Sequence, residues 1–456
     1  MKKIGLFALL AIAATNYRCT SPTKETTGAP SFSYTIEEDN SFTGLPALQS
    51  FVFGESDSCW LMFGGRTNGF HNFYQDQNFP YKKANTYIYV YNKYTHKLDS
   101  MSIYKLPAIL SQQFAATNMQ NRQVDNYLYL TGGYGMINQG QPDSNWVTHN
   151  IMSRVNISQM ISAVQSQDSV ALGNSVKYFI NDLVRATGGE LYKLPDGKFY
   201  LCVGHNFNGP YSAQVPNQIY LKQVRAFELV ETDSSITMLM PINILSDNLN
   251  DSFSQFRRRD LVVAPNVGAG GNSYGISIYG GVFTLVESNP LRNPIYITGG
   301  TQPAYTIDSA FTQASNIYSA PNLQLYDSLN DMMITTIFGG IGDTLYPGGD
   351  NASFTKLVIN VLRNNKTNVT STTYNPTQLP QYVGAEGVFI RAANMPLYQN
   401  NSSKLGIINY NSIPTNTPTT IGYIYGGILS NANESDSSGN PTIASGKVYK
   451  VTITKK

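Results

Sequence analysis

Short apolar runs closed by glycine recur along the whole chain. They read Leu61-Met62-Phe63-Gly64-Gly65, Tyr129-Leu130-Thr131-Gly132-Gly133 and Leu201-Cys202-Val203-Gly204-His205, then Ser277-Ile278-Tyr279-Gly280-Gly281, Thr336-Ile337-Phe338-Gly339-Gly340 and Tyr423-Ile424-Tyr425-Gly426-Gly427. Each run is rich in β-branched or aromatic residues, as a half-buried strand requires. The closing residues need no Cβ, as expected where two backbones approach closely. Counted from Gly64, Gly132, Gly204, Gly280, Gly339 and Gly426, the steps are 68, 72, 76, 59 and 87 residues. Recurrence on that scale, with insertions, is the mark of a repeat architecture.

The surroundings of each run repeat too: a first strand, a short turn, the glycine-terminated strand, a polar loop, then one or two outer strands. The clearest copy is Gly189 to Leu194, the turn Pro195-Asp196-Gly197, and Lys198 to Val203. Pro-Asp-Gly between alternating runs sets hairpin geometry. Other first strands are expected at Leu48 to Val52, Leu261 to Val263, Leu323 to Tyr326 and Gly387 to Ile390. Four-stranded blades are the natural unit, which predicts an all-β, six-bladed β-propeller. Gly188-Gly189 and Gly299-Gly300 fall outside the count and read as local backbone features. After Gly427 only Lys447 to Thr454 reads as a convincing strand. The alternating segment Ser31 to Ile36 is therefore expected to complete the last blade, so that pairing of the two chain ends closes the ring and removes open sheet edges. One propeller domain would then span residues 31–456.

Composition supports this reading. Of 456 residues 31 are Tyr and only 13% are charged, which suits half-buried strands and polar loops and argues against disorder. A formal net charge of +2 with no long basic run gives sequence-independent nucleic-acid binding little electrostatic support. At the N-terminus, Lys2-Lys3 precede the apolar stretch Ile4 to Ala14, which is too short to span a bilayer and reads as the core of a signal peptide over residues 1–18. Cys19 opens a polar Ser/Thr/Pro tether over residues 19–30. Cys59 and Cys202 fall at or in inner strands of blades one and three, which are not neighbours, so buried small hydrophobes are expected rather than a disulfide.

Gly-Gly at the end of the second strand, with Tyr89-Val90-Tyr91 and Thr95 in the outer strands, resembles the kelch-repeat β-propeller. The resemblance covers most of residues 31–456, and its outer-strand aromatic signature is blurred in blades four to six. The N-terminal pattern resembles a bacterial lipoprotein, which implies a lipid anchor at Cys19 and a periplasmic or outer-membrane location. Asn16-Tyr17-Arg18 departs from the small-residue lipobox of that family, and plain secretion stands open beside lipidation. The tethered chain is also similar to secreted or lipid-anchored kelch-like proteins of Bacteroidetes-type bacteria.

Candidate chemistry gathers where loops are longest. Loops after the glycine pairs exceed ordinary hairpin length, and long loops on one rim of a rigid ring are where binding concentrates. That rim holds Arg66, His71, Tyr134 and His205, with Arg185, Glu190, Arg257 to Asp260 and Glu386 at first-strand starts and Asp343 in a loop. Arg forks, carboxylates and Tyr rings around one opening suit hydroxyl-rich or carboxylate ligands. The expected ligand-binding set is Arg66, His71, His205, Arg257 and Glu386. For Arg185, Glu190 and Asp260 a bridge between blades is the favoured reading. Arg66 and His71 could equally fix their loop, and Arg257 to Arg259 are expected to alternate across a strand. His205 reads as the replacement for a second glycine. Four His, none at ligand spacing, give no basis for a metal site or cofactor. Two functions follow: a binding module for a glycan or protein partner, or a sugar-active enzyme similar to kelch-type sialic-acid mutarotases or epimerases, with Arg66, Arg257, Glu190 and Glu386 to test.

Overall fold

The computed structural model describes residues 30–71, 79–211, 217–282, 290–313, 317–342, 353–398, 405–433 and 442–456. Cys19, the signal peptide and Asp343 lie outside these residues.

Six sheets, antiparallel except for a short strand Ile408–Asn409 that pairs in parallel on the inner strand of blade five, surround one axis. Blade one runs Val52–Glu55, Cys59–Phe63, Tyr87–Asn92 and Leu98–Ser102 from the axis outward. Blade two uses Thr117–Val124, Tyr127–Ile137, Ile151–Asn156 and Val176–Ile180, and blade three uses Glu190–Lys193, Phe199–Cys202, Val224–Phe227 and Asn243–Leu245. Blade four follows with Val262–Val267, Tyr274–Tyr279, Ile295–Thr298 and Ala304–Ile307, and blade five with Asn322–Asp327, Met332–Phe338, Val358–Asn364 and Val369–Tyr374. Blade six is built from Gly387–Arg391, Thr419–Gly426 and Val448–Lys455. Its outermost strand is Phe32–Glu38, antiparallel to the C-terminal strand with Phe32 opposite Lys455 and Glu38 opposite Tyr449. The predicted closure is therefore formed. Tyr34 and Ile36 are buried by it. Cys59 and Cys202 are buried and free.

The cores lie between blades. One cluster joins Leu61 and Phe63 of blade one to Leu128 and Leu130 of blade two, and draws in Ile157, Met160, Ile161 and Val164. Those four sit on a helix, Ile157–Ser166, inserted before the outer strand of blade two, where the strand repeat gave no sign of it. Asn156 caps it, its side chain accepting from the Gln159 N–H.

The glycine pairs are seams. The N–H of the second glycine donates to a carbonyl of the next blade: Gly65 to Ala116 at 2.9 Å, Gly133 to Ala186 at 2.9 Å, and Gly427 to Leu48 at 2.8 Å. The first glycine is forced by crowding. At Gly132 φ is +65°, and a Cβ would stand 1.8 Å from the Ala186 carbonyl oxygen. In blade three the equivalent bond comes from Gly204 to the Arg258 carbonyl. Gly204 is thus the second member of its pair, Val203 (φ 51°) takes the first place, and His205 lies one residue beyond. This corrects the sequence alignment, in which His205 stood for the second glycine. A second correction concerns Arg257 to Arg259. They precede the strand Val262–Val267 rather than alternate within one.

Candidate functional site

One residue of each blade, at or just ahead of the start of its inner strand, has left-handed backbone: Ser50 (φ 54°), Asn118 (52°), Gly188 (64°), Asp260 (49°), Ser319 (25°) and Glu386 (60°). Five of these are not glycine, and such residues adopt this region only where surrounding structure imposes it. Here the imposing element is a chain of backbone hydrogen bonds around the axis. The Ser50 N–H donates to Glu386 O (3.1 Å), Asn118 to Ser50 O (3.2 Å), Asp260 to Gly188 O (2.7 Å) and Glu386 to Ser319 O (2.8 Å). These bonds link four of the six neighbouring pairs, and the six residues together make a polar diaphragm across the propeller.

On one side of it lies a central channel of about 540 Å³, walled by the inner strands of five blades together with Leu261 of blade four and Leu405-Gly406 of the blade-six insertion. It runs toward the face of the short strand-one to strand-two turns, where Asp125 is exposed. Phe51, Phe53, Tyr192 and Val388 supply its apolar wall, and Asn121, Arg122, Gln324, Glu190 and Glu386 its polar groups. Arg122 donates to the Leu405 carbonyl at 3.1 Å and lies 4.6 Å over the Tyr192 ring. Glu190 and Glu386 are deep in the fold yet partly accessible, because they face the channel rather than packed protein. Burial pushes the Glu190 carboxyl up to about 7, against the pull of Arg122. Burial, reinforced by Asp260 and Glu190, raises Glu386 to about 8, although Ser50 donates to its Oε2 at 2.9 Å. A deep cleft holding groups shifted in this way is a functional-site candidate.

On the other side, beneath the long loops, a cavity of about 30 Å³ is lined by Arg66, His71, Phe79, Thr117, Tyr318 and Glu386 among others. That volume accommodates about two waters. Arg66 donates to Pro80 O (2.9 Å) and Asn68 Oδ1 (3.1 Å) and sits 4.8 Å over Phe79. Its burial lowers the guanidinium to about 10. His71 stacks between Phe70 (4.4 Å) and Phe79 (5.3 Å). Beside this cavity Arg259 forms a buried ion pair with Asp260, with Tyr220 at 3.2 Å and Tyr318 at 3.4 Å. His205 bonds Gln218 through Nδ1 at 2.8 Å, and Arg257 lies 3.9 Å over Tyr220.

Three of the five residues expected to bind ligand, Arg66, His71 and Glu386, therefore meet at one small cavity. His205 and Arg257 stand one layer away, at Tyr220. Arg185 bonds Thr148 O (2.7 Å) and Asp182 (2.6 Å), both within blade two and its following turn. Asp260 pairs with its own neighbour, while Glu190 faces the channel. Sequence reasoning did not single out Ser50, Asn118, Asn121 or Arg122.

The arrangement of Arg66 favours the loop-fixing role. Arg66→Ala is expected to cost about 1–3 kcal/mol by stripping buried charge-assisted bonds, seen as a lower melting temperature with channel binding kept. An unchanged melting temperature with lost ligand binding would return the site to the long-looped face.

The channel also dictates a pH response. In the unfolded chain Glu190 and Glu386 ionise near 4.5, whereas folded they hold protons to about 7 and 8. The folded state binds more protons in that window, so their contribution to stability declines as pH rises through it. Burial lowers His149 to about 4 from 6.5 and His205 well below 6.5, so these two withdraw stability as pH falls below 6.5. Between about 4.5 and 6.5 the two effects oppose each other, which leaves a net decline above 6.5. Melting temperature should fall from pH 6.5 to 8, and Glu190→Gln/Glu386→Gln should flatten that limb. A slope untouched by the double substitution would show that other groups set it.

No protein-family model matches the chain, and no curated protein is detectably similar to it.

Proposed function

We propose that the chain is an exported kelch-like propeller, tethered through a lipid on Cys19, that acts as a non-catalytic binding module for a glycan terminus or another small hydroxyl-rich molecule. The observation that carries this reading is the channel of about 540 Å³, whose wall combines aromatic faces with amides, Arg122 and two carboxyls. Pockets of this size with a few convergent polar groups are where proteins hold small ligands. Among the described residues beneath the long loops, by contrast, His71, Phe79 and Tyr211 pack together beside a cavity too small for a sugar ring. A thermal-shift screen of the full chain against mono- and disaccharides tests the proposal. Ligand at 100 times Kd stabilises by about 2.7 kcal/mol. The shift should vanish in Asn121→Trp and Gln324→Trp, which fill the channel from two different blades. A shift retained in both variants would contradict the channel as the site.

A sugar-active enzyme, similar to kelch-type mutarotases or epimerases, is the second reading. It is favoured by one observation: Glu190 and Glu386, held near 7 and 8 in the same channel, have values matched to proton transfer at neutral pH. Exchange of sugar anomers followed by NMR, slowed by Glu386→Gln, would support it.

A further inference from the structure

The closed end of the channel contains more acid than its surroundings neutralise. Glu386 accepts from Ser50, and among the described residues neither Glu386 nor Glu190 forms an ion pair within 4.0 Å. Of the buried cations beyond the diaphragm, Arg259 is already matched by Asp260 and flanked by tyrosine hydroxyls, and Arg66, which shares the small cavity with Glu386, donates to Pro80 O and Asn68 Oδ1. Arg122 approaches Glu190 from the mouth side, where it is anchored to the Leu405 carbonyl in the insertion of blade six. A second wall group, Gln324, turns its amide nitrogen to Asn322 Oδ1 at 2.6 Å, which leaves its carbonyl oxygen as an acceptor toward the channel. The lining thus carries charges of both signs toward the mouth, with Arg122, Arg391, Glu55 and Asp125, and only acceptors and carboxyls at the diaphragm.

We propose that the occupant of this channel is a hydroxylated amine, with its ammonium at the closed end against Glu386 and Glu190 and its hydroxyls along Asn121, Gln324 and Arg122. This rests on the channel being the ligand site and adds the charge of the ligand. An ammonium brings three donors and a positive charge to a place that offers acceptors and negative charge. A neutral polyol would bring no charge to pair with these carboxyls and would leave Glu386 protonated, and a carboxylate ligand would add a third acid to the same enclosure. Proton balance follows directly. As the cation binds, Glu386 gives up its proton to solvent, so one ammonium–carboxylate pair forms and up to one proton is released near neutral pH. Aliphatic ammonium groups titrate near about 10.4 and stay charged throughout.

Isothermal titration of the full chain at pH 7 with glucamine, sorbitol and gluconate, a size-matched cationic, neutral and anionic series, tests this. Glucamine should bind at least about tenfold more tightly than sorbitol, a difference of about 1.4 kcal/mol, with gluconate weakest. Heats measured in buffers of different ionisation enthalpy should show proton release with glucamine alone. Glu386→Gln, checked for an unchanged fold by its melting curve, should bring the ratio of glucamine to sorbitol affinity close to one and remove the proton release. Equal affinity for glucamine and sorbitol, or tighter gluconate, would overturn the charge assignment while the channel survives if Asn121→Trp abolishes binding. Absence of binding by all three would overturn both.

Discussion

Deleting residues 31–38 should abolish cooperative folding at physiological temperature. The segment supplies the entire outer strand of blade six, with each residue from Phe32 to Glu38 paired to the C-terminal strand. Tyr34 is 1% exposed and Ile36 6% exposed, and at roughly 2 kcal/mol for each fully buried side chain their loss alone costs about 4 kcal/mol. The damage spreads further. Tyr34 hydroxyl meets Thr336 Oγ1 of blade five at 2.9 Å, and its backbone N–H donates to Asn375 Oδ1 at 2.8 Å. Deletion therefore strips a second blade and leaves Val448–Lys455 as an open edge, a template for aggregation. Domain stabilities are about 5–15 kcal/mol, so a loss of this size removes most of the margin. The rim ion pairs Lys450–Glu37 and Lys447–Glu38 are solvent-exposed and contribute little. Thermal melts of the truncated protein check this, and a wild-type midpoint would contradict ring closure by the chain ends.

Arg258→Ala should be the most destabilising single substitution among the arginines. Arg258 is 0% exposed, and its guanidinium donates to Gly280 O (2.8 Å), Asn293 O (2.7 Å) and Gln255 O. Its own carbonyl accepts the seam bond from Gly204 at 2.9 Å. One side chain thus joins the glycine pair of blade four to the loop ahead of that blade, which itself abuts blade three. Burial lowers the guanidinium to about 9, still charged at neutral pH. Truncation leaves three carbonyls without this donor and a hole of side-chain size. Breaking a buried charged network of this kind costs about 3–5 kcal/mol. Arg258→Lys should recover only a part, because an ammonium cannot span three divergent carbonyls as a planar fork does. Denaturant midpoints measure both, and a change below about 1 kcal/mol for Arg258→Ala would show that solvent replaces these contacts.

The propeller was readable because glycine at a blade seam is enforced by backbone contact, as at Gly132 against Ala186, and so recurs whatever the loops do. The N-terminal strand was readable from its period-two pattern and from the missing strand at the other end. Blade three was misaligned by one residue because Val203 adopts positive φ, a place the local sequence would assign to glycine. The helix Ile157–Ser166 is less legible because, although Ile157, Met160, Ile161 and Val164 carry helical spacing, it is inserted inside the strand repeat. The channel was the least legible feature. Its diaphragm residues precede the glycine-terminated strands by varying distances: Ser50 lies 14 residues before Gly64, and Glu386 lies 40 before Gly426. The offset is 14 residues at Asn118 as well but 20 at Asp260 and Ser319, so turns and insertions of different length keep the ring from showing as one fixed spacing. Arg122 and Glu190 come from different blades, and only packing of blade two on blade three brings them to one wall.

The most direct measurement is a crystal structure of the full chain soaked with glucamine. The expected result is ligand density in the central channel, with the amine within hydrogen-bond distance of Glu386 and hydroxyls beside Asn121 and Gln324. Density instead on the long-looped face, against Phe79 and His71, with the channel holding only solvent, would contradict the central channel as the binding site.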